Sequence, residues 1–144
     1  MKKNILAALS LLLLSPLVSA AELRTYEEIA NAAMHGKEIK IVVSFDSCRG
    51  GNRALFNHSR CAGSFKPDSF MFDDTPSMTA SLTHFTRSNP MFPEESIFEH
   101  VRYTINPDNT LTLSAIALDA ATYEAISGKF EIVCEFAKAV HFYS

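Results

Sequence analysis

The sequence has no tryptophan, and its three cysteines do not form a C-x-x-C pair, so a cysteine-based zinc site is disfavoured. Its five histidines include no H-x-H or H-E-x-x-H spacing, the arrangements that bring two imidazoles to one metal. The G-x-S-x-G elbow and the S-x-x-K pair of nucleophilic enzymes are also missing. Basic charge is short. The 13 Lys+Arg face 16 Asp+Glu for a formal net charge of −3, and because Lys2 and Lys3 lie in the leader described below, the rest of the chain stands at −5. That balance excludes a generally basic nucleic-acid binder. No apolar run after the first twenty residues approaches membrane-spanning length, and there are no internal repeats, linkers or low-complexity tracts. Eleven Phe and four Tyr exclude a disordered chain. Beyond the leader the length suits a single domain with its own core.

The leader follows a processing logic. Lys2 and Lys3 supply the positive end, an apolar core runs from Ile5 to Leu14 broken only by Ser10, Pro16 ends the helix, and Val18-Ser19-Ala20 places small residues before Ala21. Residues 1–20 therefore read as a signal peptide cleaved after Ala20. The core is too short to cross roughly 30 Å of hydrocarbon, and no cysteine follows the cleavage site to take a bacterial lipid anchor. The expectation is a protein of 21–144, periplasmic or secreted, with no stable membrane insertion after cleavage.

In such an oxidising compartment two of Cys48, Cys61 and Cys134 are expected to pair. Cys48–Cys61 would close a short loop, whereas Cys48–Cys134 would tie an early strand to a late one. The loop-length relation gives about 3 kcal/mol for the first and about 4.6 kcal/mol for the second, too close to decide. Phe130, Ile132, Cys134 and Phe136 share one strand parity, so Cys134 should point inward, as a bridge or as a small apolar filler.

Along the rest of the chain one helix is expected over 26–35. Thr25 stands at the N-cap with Glu28 three residues on, Gly36 supplies the left-handed stop, and Leu23, Tyr26, Ile29, Ala30, Ala33 and Met34 form its apolar stripe. Everything later reads as strands. Ile39, Ile41, Val43 and Phe45 alternate with polar or outward positions; 46–63 is a loop; 65–72 is one extended run with Pro67 near its start. Met78, Ala80 and Leu82 alternate until His84-Phe85 breaks the parity, which predicts a bulge. In the strand 97–105, Ile97, Val101, Tyr103 and Ile105 share a face with Glu99, and Phe98, His100, Arg102 and Thr104 take the other. Asn106-Pro107-Asp108-Asn109 is a hairpin turn with Asn109 left-handed, leading to 110–118, a short strand at 123–126, and strands at 129–136 and 140–143. The fold class is α+β: one N-terminal helix packed on a curved antiparallel meander or open barrel of six to eight strands.

Several side chains invite a chemical reading. Arg49, Arg53 and Arg60 gather in one loop whose Gly50-Gly51 lets the backbone curve round an anion, with Leu55 and Phe56 at the same tip. This loop is a candidate contact for an anionic or protein partner; a solvated loop is the plainer alternative. His84 and His100 could meet across paired strands, although a hydrogen-bonded structural role is the default for each. Asp73-Asp74 and Glu94-Glu95 fall in turns, where solvated acids are expected rather than a glycosidase pair. No catalytic residue, metal site or cofactor is assigned.

The run of helix, Gly36, 39–45 and Cys48 resembles the start of the VirK family of small exported bacterial proteins. The similarity continues through Phe65-Lys66-Pro67-Asp68-Ser69-Phe70-Met71, His84-Phe85-Thr86, Arg102-Tyr103 and the Pro107-Asp108-Asn109 turn to Cys134 and Phe142. Asn109 stands where the family usually has Gly, and both tolerate the left-handed conformation. The resemblance implies a Cys48–Cys134 bridge with Cys61 as the extra thiol, a link to virulence regulons and host association, and no catalytic residues to carry over. Two functions follow as expectations. One is a non-catalytic, virulence-associated interaction protein that meets an envelope or host component through the Arg49–Arg60 loop. The other is a small-ligand carrier or enzyme using the concave face of the sheet, with His84, His100 and Arg102 as candidate lining.

Overall fold

The computed structural model describes residues 20–51, 62–89 and 92–144. The strands are β1 (Glu22–Leu23), β2 (Lys40–Ser44), β3 (Arg49–Gly50), β4 (Ala62–Phe65), β5 (Ser69–Phe72), β6 (Met78–Thr86), β7 (Ile97–Asn106), β8 (Thr110–Asp119), β9 (Phe130–Glu135) and β10 (Val140–Tyr143), with one helix, α1 (Tyr26–Met34). They form two antiparallel sheets: a four-stranded one in the order β1-β10-β2-β4 and a six-stranded one in the order β3-β9-β8-β7-β6-β5. From β5 to β9 the larger sheet is the expected meander, each strand pairing with its successor. A single meander or barrel is corrected to two sheets not closed into a barrel, and α1 follows a strand rather than opening the described chain.

Among the described residues the chain passes from one sheet to the other at three corners. Pro67, buried and lacking an N–H, turns the chain between β4 and β5, so the extended run expected over 65–72 belongs to two sheets. Asp68 fixes that corner: its backbone N–H donates to Ser81 O at 2.7 Å, and its Oδ2 accepts from Thr83 N at 3.1 Å. A 3-10 turn over Phe45–Ser47 carries the chain from β2 to β3, and a tight turn with Ala137 at φ 55° carries it from β9 to β10.

α1 is capped at both ends. Thr25 Oγ1 accepts from Glu28 N at 3.3 Å while Glu28 Oε2 accepts from Thr25 N at 3.2 Å, the reciprocal box. At the other end Gly36 takes φ 69°, and Gly36 N and Lys37 N donate to Ala33 O and Ala32 O at 3.0 Å, which satisfies the last carbonyls. The buried face is Ile29, Ala30 and Ala32; Met34, expected in the stripe, is 65 % exposed. Ile29 and Ala32 join one core with Ile41, Val43, Tyr103, Ile105, Leu111 and Phe142, between the two sheets. Tyr26 N donates to Asn109 Oδ1 at 2.9 Å, so the helix start rests on the β7–β8 turn. Asn109 holds φ 59°, as expected.

Cys48 and Cys134 form a disulfide with their Cα atoms 4.4 Å apart, both inside the core. Cys61, the alternative partner, lies outside the described residues.

Two further expectations are corrected. β6 pairs with β7 in one unbroken register from Met78↔Ile105 to Thr86↔Ile97, so there is no bulge at His84-Phe85. The polarity inverts instead: His84 faces inward and Phe85 outward. The segment 123–126 is held by one bridge, Leu118↔Ala125, not by a strand.

Candidate functional site

The inward side chains of β7 and β8 shrink along their length. At the turn end stand Ile105 and Tyr103 opposite Leu111 and Leu113; further on, Val101 and Glu99 face Ala115 and Ala117. Large residues fill the space beside α1. Small ones at the far end leave a cavity of about 500 Å³ between the sheets, a volume ordinary for small-molecule sites. Its walls are aromatic and aliphatic. Phe45 and Phe65 come from the smaller sheet's side, and Phe92, Val101, Phe130 and Ile126 from the larger sheet and its loops.

Among the described residues few polar side chains reach it: Glu99, Asn89 and Ser127. Glu99 and its register partner His84 meet on the inner face, Nε2 to Oε2 at 3.0 Å, and Asn89 Nδ2 donates to Glu99 Oε1. Ser127 Oγ accepts from Ala117 N at 2.9 Å, which seals the β8 edge of the cavity. Behind this pair lies Tyr103, fully buried, its ring 6.0 Å from Phe65. Its hydroxyl has no hydrogen-bond partner among the described residues. Burial first, then the negative charges of Asp68 and Glu99, hold this phenol well above its usual pKa.

The residues singled out in the sequence do not converge. His84 is on the inner face, but His100 and Arg102 are on the outer face of the same sheet, His100 Nδ1 meeting Thr83 Oγ1 at 2.6 Å. The unbroken β6–β7 register is the reason: without a bulge His84 faces Glu99, and His100 cannot share its side. His84 and His100 therefore do not meet, and His100 and Arg102 do not line the concave face. Arg49 lies on β3 with its guanidinium 3.8 Å from Glu135. Arg53 and Arg60 lie outside the described residues.

The outer face carries an aromatic row. Phe85 sits edge-on to Phe98 at 5.7 Å, and Tyr123, at φ 59°, stacks on Phe98 at 5.5 Å. In the turns, Asp119 Oδ1 accepts from Ala121 N and Thr122 N, and those donors first, with the Thr122 hydroxyl, hold its carboxyl below the usual range. Asp73 is held down likewise by the Thr75 hydroxyl and backbone N–H. Both are turn acids, as expected for Asp73.

Sequence reasoning placed Glu99 inward but missed Asn89 and the phenylalanine wall. The available signal was the change from Leu111 and Leu113 to Ala115 and Ala117 at one strand parity, which marks where a packed interior gives way to space.

The VirK protein family model matches residues 22–123. The chain belongs to the VirK family. Its fold is similar to a crystal structure of a VirK family protein from Legionella pneumophila, with a TM-score of 0.75 at 22% sequence identity, over 85% of this chain and 98% of that one. No curated protein matches. The matched VirK region contains α1, Cys48, the β6–β8 hairpins and the His84–Glu99 pair; Phe130, Cys134 and β10 lie beyond it.

Proposed function

We propose that this VirK family member is an exported, virulence-associated binding protein without a catalytic role. In this reading residues 1–20 are a cleaved signal peptide and 21–144 a single domain that matures in the periplasm or beyond it. The observation that supports binding is the apolar cavity: aromatic and aliphatic walls offer desolvation, and Glu99, the one ionisable lining group among the described residues, is already engaged by His84 and Asn89. The buried Cys48–Cys134 bridge is compatible with an oxidising compartment, and none of the helices among the described residues is long and apolar enough to cross a membrane.

Native mass spectrometry of protein drawn from the periplasm of its host tests both parts. The expected species begins at Ala21, carries one disulfide, and retains a small apolar molecule that Ala117→Phe displaces. Full-length reduced protein in the cytosol would overturn the export reading, and ligand retention unchanged by Ala117→Phe would overturn the cavity reading. The loop bearing Arg49, Arg53 and Arg60 is proposed as the contact for an envelope or host component; unchanged pull-down after replacing all three would remove it.

A further inference from the structure

We infer that the cavity takes a small amphiphile with an amine head, its apolar body against Phe65, Phe92 and Phe130 and its ammonium at Glu99. The inference rests on the cavity-binding reading above and names the chemistry of the ligand.

The walls set the body. The head is set by charge. Glu99 is the ionisable group in the lining among the described residues; its Oε1 accepts a hydrogen bond from Asn89, and its Oε2 lies 3.0 Å from His84 Nε2. A carboxylate offers about four acceptor sites, so each oxygen retains capacity for a donor arriving from the cavity. His84 Nδ1 is buried with no partner among the described residues, where a proton would be an unmet donor. The two charges acting on the neighbouring Tyr103 hydroxyl, Asp68 and Glu99, are both negative. Among the described residues, no lysine or arginine lines the cavity. A partly desolvated carboxylate in apolar surroundings favours a cation that also donates hydrogen bonds, whereas an anionic head would meet like charge.

Decylamine, decanol and decanoate share one chain and differ in the head. Each is titrated by calorimetry into the oxidised protein, below the concentration at which the probe self-associates. Decylamine is expected to bind about tenfold or more tighter than decanoate, with decanol between them. Glu99→Gln, which keeps shape and removes charge, is expected to collapse that gap while leaving decanol unchanged. Equal or tighter binding of decanoate overturns the assignment, as does a gap that survives in Glu99→Gln. The wild-type ranking stands on its own should that variant fail to fold. Ala117→Phe separates the two readings. If all three probes bind alike and Ala117→Phe blocks them, the amine head is wrong and the cavity reading stands; if no probe binds, or Ala117→Phe changes nothing, both fall.

Discussion

Asn109 carries two separable contributions. Its backbone sits at φ 59° and its Oδ1 accepts the helix-start N–H of Tyr26. Asn109→Gly keeps the conformation and loses the bond, so it is expected to cost about 1 kcal/mol. Asn109→Ala loses both and is expected to cost about 2 kcal/mol. Urea titration of the two variants checks this; equal costs would mean the left-handed backbone contributes nothing. Tyr103 should behave in the opposite way. Its buried hydroxyl has no partner among the described residues, so Tyr103→Phe removes a desolvated polar group without opening a hole. Its melting temperature is expected to match or exceed that of the wild type, and a clear fall would reveal a partner for the phenol.

At the scale of elements, the capping box predicts that Thr25→Ala costs about 1 kcal/mol by urea titration. The turns and strand ends set the acid response. Asp119 and Asp73 are lowered by donors in their own turns, Glu22 by its hydrogen bond to His141 and then by Arg24, and Glu38 by Lys66. Each has a folded-state pKa below its unfolded value, so the unfolded chain takes up the proton first. Their stabilisation is complete above about pH 5 and is lost as pH falls through roughly 4 and below. Melting temperature should stay level from neutrality to that point and then decline, with a shallower decline in Asp119→Asn. The elements that were legible in the sequence are those written locally: the Thr25–Glu28 box, Gly36, and the Pro107-Asp108-Asn109 turn specify their structure within a few residues. What was not legible depends on distant partners. Residues 65–72 alternate like one strand, and nothing nearby says that Pro67 hands the chain to another sheet. His84 and Phe85 mimic a bulge because each stands on the face where its opposite is expected. The reason lies in residues elsewhere in the chain: Glu99 waits inside for the imidazole, and Phe98 and Tyr123 wait outside for the ring.

For the molecule as a whole, the Cys48–Cys134 bridge spans a sequence separation of 86 residues and sits in the core. Removing it by a paired Cys→Ala change is expected to cost about 2–5 kcal/mol, read as the difference in urea midpoint from the oxidised wild type. The candidate site was only partly visible in the sequence, because a void is defined by what does not meet across it. Parity located Glu99, but the cavity exists only once Phe65 of one sheet and Phe45 of the turn that leaves it stand over Ala115 and Ala117 of the other. The strand order has one more consequence. β10 lies between β1 and β2, with Phe142 fully buried and Ala21 and Ser144 exchanging backbone hydrogen bonds at 2.9 and 3.0 Å. The earliest and latest pieces of the domain to leave the ribosome are thus side-by-side neighbours. The smaller sheet is complete only once β10 has taken its place between β1 and β2.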